Sequence, residues 1–422
     1  MGMNLTRRSV LGFGGLAAAA ALSACGSNTG LGGKESSGGG PTLTQWYHQY
    51  GEEGVKEAVE RYAAEYTAAK VDVKWNPGDY GSILAAQLLT NDVPDVFEVE
   101  QGGSLDMIRS GQLEDLTETI APVRDDFNEA VIKRFTFDGK IHGIPQTIDM
   151  QLLYYRPSLL QAAGVAAPAT FDDLVKAANA VATSDMGGFF AGNKGGVDVL
   201  GPLLIWASGH DQLDADRTAA AFLTDDFYAA LSAYRDFYQS NGLLKAASAD
   251  WFSGAAFVNG ETAMQWGGLW SLPEIIAAHG DDVGVLPFPA IGAKGRVAVP
   301  FGAFGSCVAA KGKNVAAAKE FVKWLWIDQT DKQVDFSDSY GTHIPARKSL
   351  VATARKLQSG PGAKAAEFVG SHGFANDIMW SGSLGDTYSA AISNVVVQGQ
   401  DPVQAFAGFA DLAATELAKL KG

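Results

Sequence analysis

Strand-like and helix-like patterns alternate along the first part of this chain, and this alternation limits the folds that it can adopt. In order, the strand and helix patterns occupy residues 42–46, 55–66, 71–75, 83–88 and 94–99. Such alternation predicts an α/β fold with a mostly parallel sheet covered by helices. Ligands bind beyond the carboxyl ends of the strands in these sheets. The loops after Trp46, Trp75 and Val99 are therefore the first candidates for a site.

The chain is too long for one hydrophobic core. After an N-terminal targeting segment about 400 residues remain, and single cores stop growing at about 250–300 residues, so we expect two domains. The second region begins near Gln151, and Thr170 stands where an N-cap would precede a helix. Further on, strand patterns occupy 283–287 and 304–310, and helix patterns occupy 315–326 and 403–420.

The N-terminus has the features of an export signal. Arg7 and Arg8 precede an apolar run over residues 10–22. This run is shorter than the about 20 residues that a membrane-spanning helix needs, whereas a charged start and a short apolar run are typical of secretory signals. Because paired arginines favour the twin-arginine route, we interpret residues 1–24 as a twin-arginine-type signal peptide.

A cysteine follows this signal within the sequence LSACG at residues 22–26, which resembles the bacterial lipobox. The resemblance implies that Cys25 is diacylated, and two acyl chains anchor a soluble domain stably to a membrane. The alternative is an ordinary cysteine after a cleaved signal. We interpret the Gly- and Ser-rich residues 25–40 as the lipidated cysteine and a flexible tether. Cys307, the other cysteine, then has no disulfide partner and is predicted to lie in a buried strand.

The formal net charge of −15 excludes some classes of partner. An acidic surface repels phosphate backbones and anionic lipid head groups, so we expect no nucleic-acid binding. The sequence lacks the nucleophile-elbow, zinc-protease, phosphate-loop and C-x-x-C motifs, and its six histidines are far apart. We therefore expect no catalytic residues, no metal and no cofactor.

Short motifs occur in a fixed order along the mature chain. They are PDV at 94–96, GQLEDLT at 111–117, DGKIHGIP at 138–145, LYYR at 153–156, the segment 168–174, AMQWGGLW at 263–270, AAKEFVKWL at 317–325 and GTHIPAR at 341–347. With the lipobox, this order resembles the extracellular solute-binding proteins of carbohydrate ABC importers, the group that includes maltose-binding protein. Each motif alone is weak evidence, and their shared order and spacing carry the resemblance.

The resemblance implies a two-lobed periplasmic-binding-protein-like fold of type II. Each lobe would be a mostly parallel sheet flanked by helices, with the ligand cleft between the lobes. The N-terminal lobe is expected to comprise 41–147 plus 299–343, and the C-terminal lobe 148–298 plus 344–422. Crossovers acting as a hinge are expected near 145–149, between 286 and 301, and near 343–347. Ligand would stabilise the closed state through its higher affinity for that state.

The resemblance also implies a function. The chain would bind a mono- or oligosaccharide outside the cell and deliver it to ABC importer permease subunits, as a monomer and not as an enzyme. The lipid on Cys25 would hold it at the extracellular face of the cytoplasmic membrane. One alternative is a secreted carbohydrate-active enzyme with two cleft carboxylates. Another is a binding protein for a polyamine, which needs several acids around an aromatic box, or for a phosphate ester, which needs basic cleft residues.

A sugar cleft needs aromatic rings for the C–H faces and charged or amide groups for the hydroxyls. The resemblance indicates Trp270, after a strand and two glycines, as a stacking residue, and Asp149, after the first crossover, as a hydroxyl acceptor. The alternatives are a packing role for Trp270 and a solvated position for Asp149. Trp266 lies within the strand pattern and is expected in the core.

Position along the chain adds further candidate ligand-binding residues. Those that follow predicted strands are His48, Gln49, Tyr50, Tyr80, Glu100 and Gln101. Those in loop-like, Gly-rich or crossover segments are Trp206, Trp251, Gly302, Arg347, Trp380 and Asp386. Core packing or a solvated loop remains the alternative for each of them, and an ion pair is the alternative for Arg347.

Overall fold

The computed structural model of the protein describes residues 40–421. The predicted signal, Cys25 and all of the tether except its last residue lie outside the described residues. None of the helices between residues 40 and 421 combines the length and the apolar character that crossing a bilayer requires.

Strands are numbered here in chain order. They are β1 (Thr42–His48), β2 (Lys70–Asn76), β3 (Val96–Glu100), β4 (Thr136–Phe137), β5 (Lys140–Ile141), β6 (Ile144–Pro145), β7 (Thr147–Tyr155), β8 (Gly187–Phe190), β9 (Leu243–Leu244), β10 (Thr262–Gly268), β11 (Gly284–Leu286), β12 (Val299–Gly302), β13 (Phe304–Val308), β14 (Ile344–Pro345) and β15 (Gly373–Phe374).

The α-helices are numbered in the same way. They are α1 (Val55–Glu65), α2 (Tyr80–Gln87), α3 (Leu105–Arg109), α4 (Thr117–Ile120), α5 (Glu129–Phe135), α6 (Pro157–Ala162), α7 (Phe171–Val181), α8 (Val197–Ala207), α9 (Asp225–Gln239), α10 (Ala255–Val258), α11 (Leu272–His279), α12 (Val315–Lys323), α13 (Thr330–Ser339), α14 (Lys348–Val351), α15 (Gly360–His372), α16 (Gly382–Val396), α17 (Pro402–Ala405) and α18 (Phe409–Lys421).

The first sheet has five strands in the order β2-β1-β3-β13-β6. The β1–β2 and β1–β3 pairs are parallel, and β13 runs antiparallel to β3 and β6. Helix α1 buries Val59 and Tyr62 within the core that contains Tyr47 of β1, and the cluster that contains Phe97 and the buried Cys307 also includes Leu84 of α2. The predicted alternation of strands and helices is confirmed, because α1 and α2 connect parallel strands.

The second sheet has eight strands and is built around β7. Strands β10, β11, β12 and β14 all pair with β7 and run antiparallel to it, whereas β8 pairs in parallel with β9 and β10. Trp266 of β10 is fully buried, in agreement with the sequence prediction. Together the two sheets and their helices form the two-lobed α/β architecture that was expected. The expectation that each sheet would be mostly parallel is wrong, because β13 runs antiparallel to both its neighbours and β7 runs antiparallel to all of its partners.

The chain changes sheet at two adjacent points. It leaves the first sheet after β6 and passes through Gln146 into β7, and it returns from β12 to β13 through Ala303. The second crossover therefore lies just beyond the range 286–301 in which it was expected, because β12 still pairs with β7. The amide of Gln146 donates to the carbonyl of Phe304 at 2.9 Å. Strand β14 pairs with the first two residues of β7, so a third segment reaches the same place. Side chains at the start of β7 therefore lie next to both sheets.

The C-terminal helix pattern is the clearest departure from the sequence analysis. One helix over 403–420 was expected, but the segment forms α17 and α18 with a break between them. Gly408 has a φ of 85° at this break, a left-handed conformation that an α-helix cannot contain. The apolar spacing continues across the break, which is why the sequence pattern did not reveal it.

A capping box begins α7, as the sequence indicated. The Thr170 hydroxyl accepts from the amide of Asp173 at 3.1 Å, and the Asp173 carboxylate accepts from the amide of Thr170 at 3.1 Å. Thr170→Ala is expected to lower the free energy of unfolding by about 1 kcal/mol, because the first turn loses a partner for its free amides. Urea denaturation checks this, and Thr170→Ser should stay close to the wild type. Equal losses in both variants would contradict a capping role.

Candidate ligand-binding groove

A groove of about 410 Å³ opens at the place where β3, β7 and β12 meet. Seven of the side chains or backbone positions predicted from the sequence line it, namely Glu100, Gln101, Asp149, Trp206, Trp251, Trp270 and Gly302. The neighbours of Gly302 in the same predicted segment, Phe301 and Phe304, also line it. It further contains polar and aromatic residues that the sequence analysis missed, namely Gln151, Asp198, Phe374 and Asn376. Residues far apart in sequence thus converge on one groove.

Two tryptophans form one aromatic wall of the groove. The rings of Trp251 and Trp270 meet edge to face, with centroids 6.0 Å apart, and both are partly exposed. The indole N–H of Trp270 donates to the carbonyl of Phe252 at 2.9 Å. A Cβ on Gly268 would lie 2.1 Å from the Trp270 ring, so only glycine permits this ring position. Gly268, two residues before Trp270, therefore determines where the indole lies.

A second aromatic pair lies elsewhere in the groove lining. The rings of Trp206 and Phe374 stack with centroids 3.6 Å apart, and Trp206 is only 4 % exposed. Helix α8 carries Trp206, whereas β15 carries Phe374. No sequence pattern linked the two, because they lie far apart along the chain. The pair contributes apolar surface on which the C–H face of a ring could rest.

Asp149 belongs to a chain of charged groups at the hinge. Its carboxylate contacts Nδ1 of His343, and Nε2 of His343 lies 3.2 Å from a carboxylate oxygen of Glu52. Burial by itself would lower the pKa of His343, but Asp149 and Glu52 outweigh it and raise that pKa from 6.5 to about 10. His343 is therefore protonated at neutral pH, and it orients the Asp149 carboxylate at the edge of the groove.

The last residue of β1 and the two residues after it lie behind the groove. His48 and Tyr50 both bind the buried carboxylate of Glu98, the Tyr50 hydroxyl donating at 2.7 Å. The His48 ring stacks on Phe304, a lining residue, with centroids 4.5 Å apart. The side chain of Gln49 is exposed, and the backbone amide of Gln49 donates to the backbone carbonyl of Asn76. None of these three predicted residues lines the groove as described, and His48 contacts it only through Phe304.

Gln101 has a strained backbone at the groove. Its φ is 54°, in the left-handed region that non-glycine residues seldom occupy. Its amide donates to the carbonyl of Ala303 at 2.7 Å, which ties the end of β3 to the β12–β13 crossover. Its side-chain oxygen is buried and has no hydrogen-bond partner within the described protein. Strain and an unsatisfied acceptor together are typical of a functional site.

Four other predicted residues lie outside this groove, and local contacts explain their positions. The Tyr80 hydroxyl donates to the carbonyl of Glu98 at 2.9 Å within the first lobe. Arg347 forms an ion pair with Asp126 at 2.8 Å. The remaining two are Trp380, which packs against Tyr388 and Phe409, and Asp386, which is exposed on α16.

A second cavity of about 620 Å³ adjoins the groove and shares Trp206, Phe374 and Asn376 with it. Arg134 lines this cavity, and its guanidinium donates to the carbonyl of Gly103 at 3.3 Å. Burial lowers the pKa of Arg134 to about 10. The shared residues make the two cavities neighbours, so a long ligand could extend from one to the other.

A larger cavity of about 830 Å³ lies elsewhere and contains none of the predicted site residues. Tyr155, Leu272, Ile276 and Lys356 are among its lining residues. Size alone does not identify a site, whereas the smaller groove combines aromatic walls, carboxylates and a hinge. The smaller groove is therefore the candidate binding site.

Two lobes joined by crossovers, with a polar and aromatic groove at the hinge, define a binding protein of the periplasmic type. The family model of the bacterial extracellular solute-binding proteins matches residues 46–326. The chain belongs to this family.

Curated relatives and solved structures agree with this assignment. The chain is 24% identical over 370 residues to the diacetylchitobiose-binding protein DasA of Streptomyces coelicolor, covering 84% of each chain. It is 22% identical over 287 residues to a multiple sugar-binding protein of Streptococcus mutans, covering 64% of this chain and 67% of that protein.

Two solved structures show the same fold. An ABC transporter solute-binding protein from Thermotoga lettingae, bound with α-D-tagatose, has a TM-score of 0.75 and 19% identity, covering 89% of this chain and 100% of that chain. Maltose-bound MalE3 of T. maritima has a TM-score of 0.74 and 21% identity, covering 90% of this chain and 100% of that chain.

Proposed function

We propose that this chain captures a carbohydrate outside the cell and delivers it, unchanged, to the permease of an ABC importer. The observation that carries the proposal is the groove, where the partly exposed indoles of Trp251 and Trp270 lie with the carboxylates of Glu100 and Asp149. Indole rings suit the C–H faces of a pyranose, and carboxylates accept its hydroxyls. Sugar ligands in the names of two relatives and two structures support the same class of ligand.

Capture works through closure of the two lobes. We assign 41–146 plus 303–343 to the N-terminal lobe and 147–302 plus 344–422 to the C-terminal lobe, with the hinge at Gln146, Ala303 and the segment before β14. The boundary predicted at 298 moves to 302, because β12 pairs with β7 in the second sheet. Ligand shifts the population towards the closed state because it contacts both lobes only there. Glu100 comes from the first sheet, whereas Trp270 follows a strand of the second, so a sugar held by both favours closure.

The export features complete the proposal. A twin-arginine-type signal over 1–24 and a lipid on Cys25 would leave a monomer tethered outside the cytoplasmic membrane. The predicted tether over 25–40 would link this lipid to the binding lobes. Metabolic labelling with a fatty acid, lost in Cys25→Ser, checks the anchor.

A thermal-shift screen of the mature protein against mono- and oligosaccharides tests the function. A ligand at 100 times its Kd should stabilise the protein by about 2.7 kcal/mol. Small-angle scattering should then show a smaller radius of gyration with the same sugar. Failure of every sugar to stabilise the protein would contradict sugar binding. New reducing ends after prolonged incubation with oligosaccharides would instead indicate an enzyme.

A further inference from the structure

The charged groups in the groove are of one sign. Its lining includes the carboxylates of Glu100, Asp149 and Asp198, and none of the described lining residues is a lysine, arginine or histidine. Behind this lining, His343 contacts Asp149 and Glu52, and His48 contacts Glu98. Even with both histidines protonated and Arg134, which interacts with Glu100, counted as a third positive charge, the five carboxylates leave an excess of negative charge around the groove. An anionic ligand would be repelled there.

The lining also offers hydrogen-bond acceptors to a ligand. The side-chain oxygen of Gln101 is buried and has no hydrogen-bond partner among residues 40–421, so it is available to accept from a donor on the ligand. Glu100 and Asp198 also line the groove, and Glu100 interacts with the charge of Arg134 from the adjoining cavity without forming a close ion pair with it among the described residues. A sugar hydroxyl can donate or accept, whereas an ammonium group only donates. The groove therefore complements a ligand with surplus donors.

The aromatic wall adds an attraction for positive charge. Trp251 and Trp270 meet at an interplanar angle of 62°, so their rings form two sides of a corner. Indole faces attract ammonium groups, and aromatic corners with nearby carboxylates bind cations in proteins. Trp251 also follows Asp250, whose carboxylate accepts from the amides of Asn193 and Trp251. The negative charge, the hydrogen-bond acceptors and the aromatic faces all favour a ligand that carries an ammonium group.

We propose that the groove selects a saccharide that carries a protonated amino group over its neutral and acidic counterparts. This inference rests on the proposed function, since it specifies which class of sugar the same groove takes. The amino group lies at the end of the groove formed by Trp251 and Trp270. The part of the groove at Trp206 and Phe374 adjoins the second cavity, whose lining has equal numbers of basic and acidic side chains and so suits the neutral hydroxyl groups of the same ligand.

Isothermal titration with matched sugars tests the selection. The panel comprises mono-, di- and trisaccharides of glucose, glucosamine and glucuronic acid in α-1,4 and β-1,4 linkage, with spermidine as an amine without a sugar. We expect a glucosamine ligand to bind about 10-fold more tightly than its glucose counterpart, and glucuronate ligands not to bind. The advantage of the amine should shrink as salt is raised, because screening weakens attraction between charges.

The possible results separate the two proposals. Glucose ligands that bind as tightly as glucosamine ligands, or glucuronate ligands that bind best, would overturn the amino-sugar inference and leave sugar binding intact. Binding of spermidine alone, or of no member of the panel, would overturn both.

A charge variant locates the effect in the groove. Glu100→Gln should reduce the glucosamine-to-glucose affinity ratio from about 10 towards one, because the lining loses a charge. Glu57→Gln, an exposed change on α1, is the matched control and should keep the ratio. An unchanged ratio in Glu100→Gln and in Asp198→Asn would contradict the inference, and circular dichroism shows whether each variant is folded.

Discussion

Replacement of Trp270 with alanine is expected to weaken sugar binding about 100-fold while the unliganded protein stays folded. A central aromatic contact in a binding site contributes about 2–3 kcal/mol, which corresponds to a loss of this size. The ring is partly exposed, so its loss removes little from the core beyond the hydrogen bond to Phe252 and the contact with Trp251. Titration with the best sugar from the screen measures the affinity, and thermal unfolding of the unliganded variant measures the stability.

Two further variants show whether the effect belongs to the site. Trp324→Ala removes a partly buried indole that packs on Tyr66 and Phe321, away from the groove, and should lower stability without changing the affinity. Gly268→Ala should weaken binding although Trp270 is present, because its new Cβ forces the ring to move. Collapse of the unliganded Trp270→Ala protein, with sugar binding retained, would instead place Trp270 in the core.

Replacement of His343 with glutamine is expected to lower the free energy of unfolding by about 3–5 kcal/mol. The imidazolium lies between the carboxylates of Asp149 and Glu52 and is itself 4 % exposed. Removal of the imidazolium leaves two mutually repelling carboxylates in a poorly solvated environment. Removal of one partner from a buried ion pair typically destabilises a protein by this amount. Urea denaturation at pH 7 measures the loss. His279→Gln is a control, since Nε2 of His279 donates to the carbonyl of Phe257 and not to a carboxylate.

The same residue predicts a dependence of stability on pH. Because the folded pKa of His343 is about 10 and its ordinary value is 6.5, the folded state holds its proton more tightly than the unfolded state. The stabilisation is therefore complete below about pH 6.5 and is lost as the pH rises towards 10. The urea midpoint should fall between pH 7 and 9.5 in the wild type and fall less in His343→Gln. Equal slopes in the two proteins would show that His343 is not protonated in the fold.

Secondary structure followed closely from local pattern. The alternation of strands and helices over the first sheet, the capping box at Thr170 and the burial of Trp266 all depend on spacing within one short segment. The break at Gly408 was missed because apolar spacing does not report a left-handed residue. One missed groove residue had a signal in the sequence, since Gln151 lies two residues after Asp149 on the same face of β7.

The partners of buried polar groups were not predictable in this way. His48, Tyr50 and Tyr80 were chosen because they follow strands, but Glu98 binds the first two through its carboxylate and Tyr80 through its carbonyl. For Arg347 the sequence left two alternatives, contact with the ligand or an ion pair, and the structure shows an ion pair with Asp126. Each outcome depends on contacts between side chains of different strands and helices. The spacing of residues within one segment does not specify such contacts.

The sequence alone determined the α/β class and the family, because periodicity and ordered motifs are properties of short segments. Only the tertiary structure decided which aromatic and acidic residues share one groove, and that Gln101 is strained with an oxygen that has no partner in the part of the chain that the structure describes. A binding groove forms where distant segments converge, so its charge balance follows from packing between sheets and not from the order of residues along the chain.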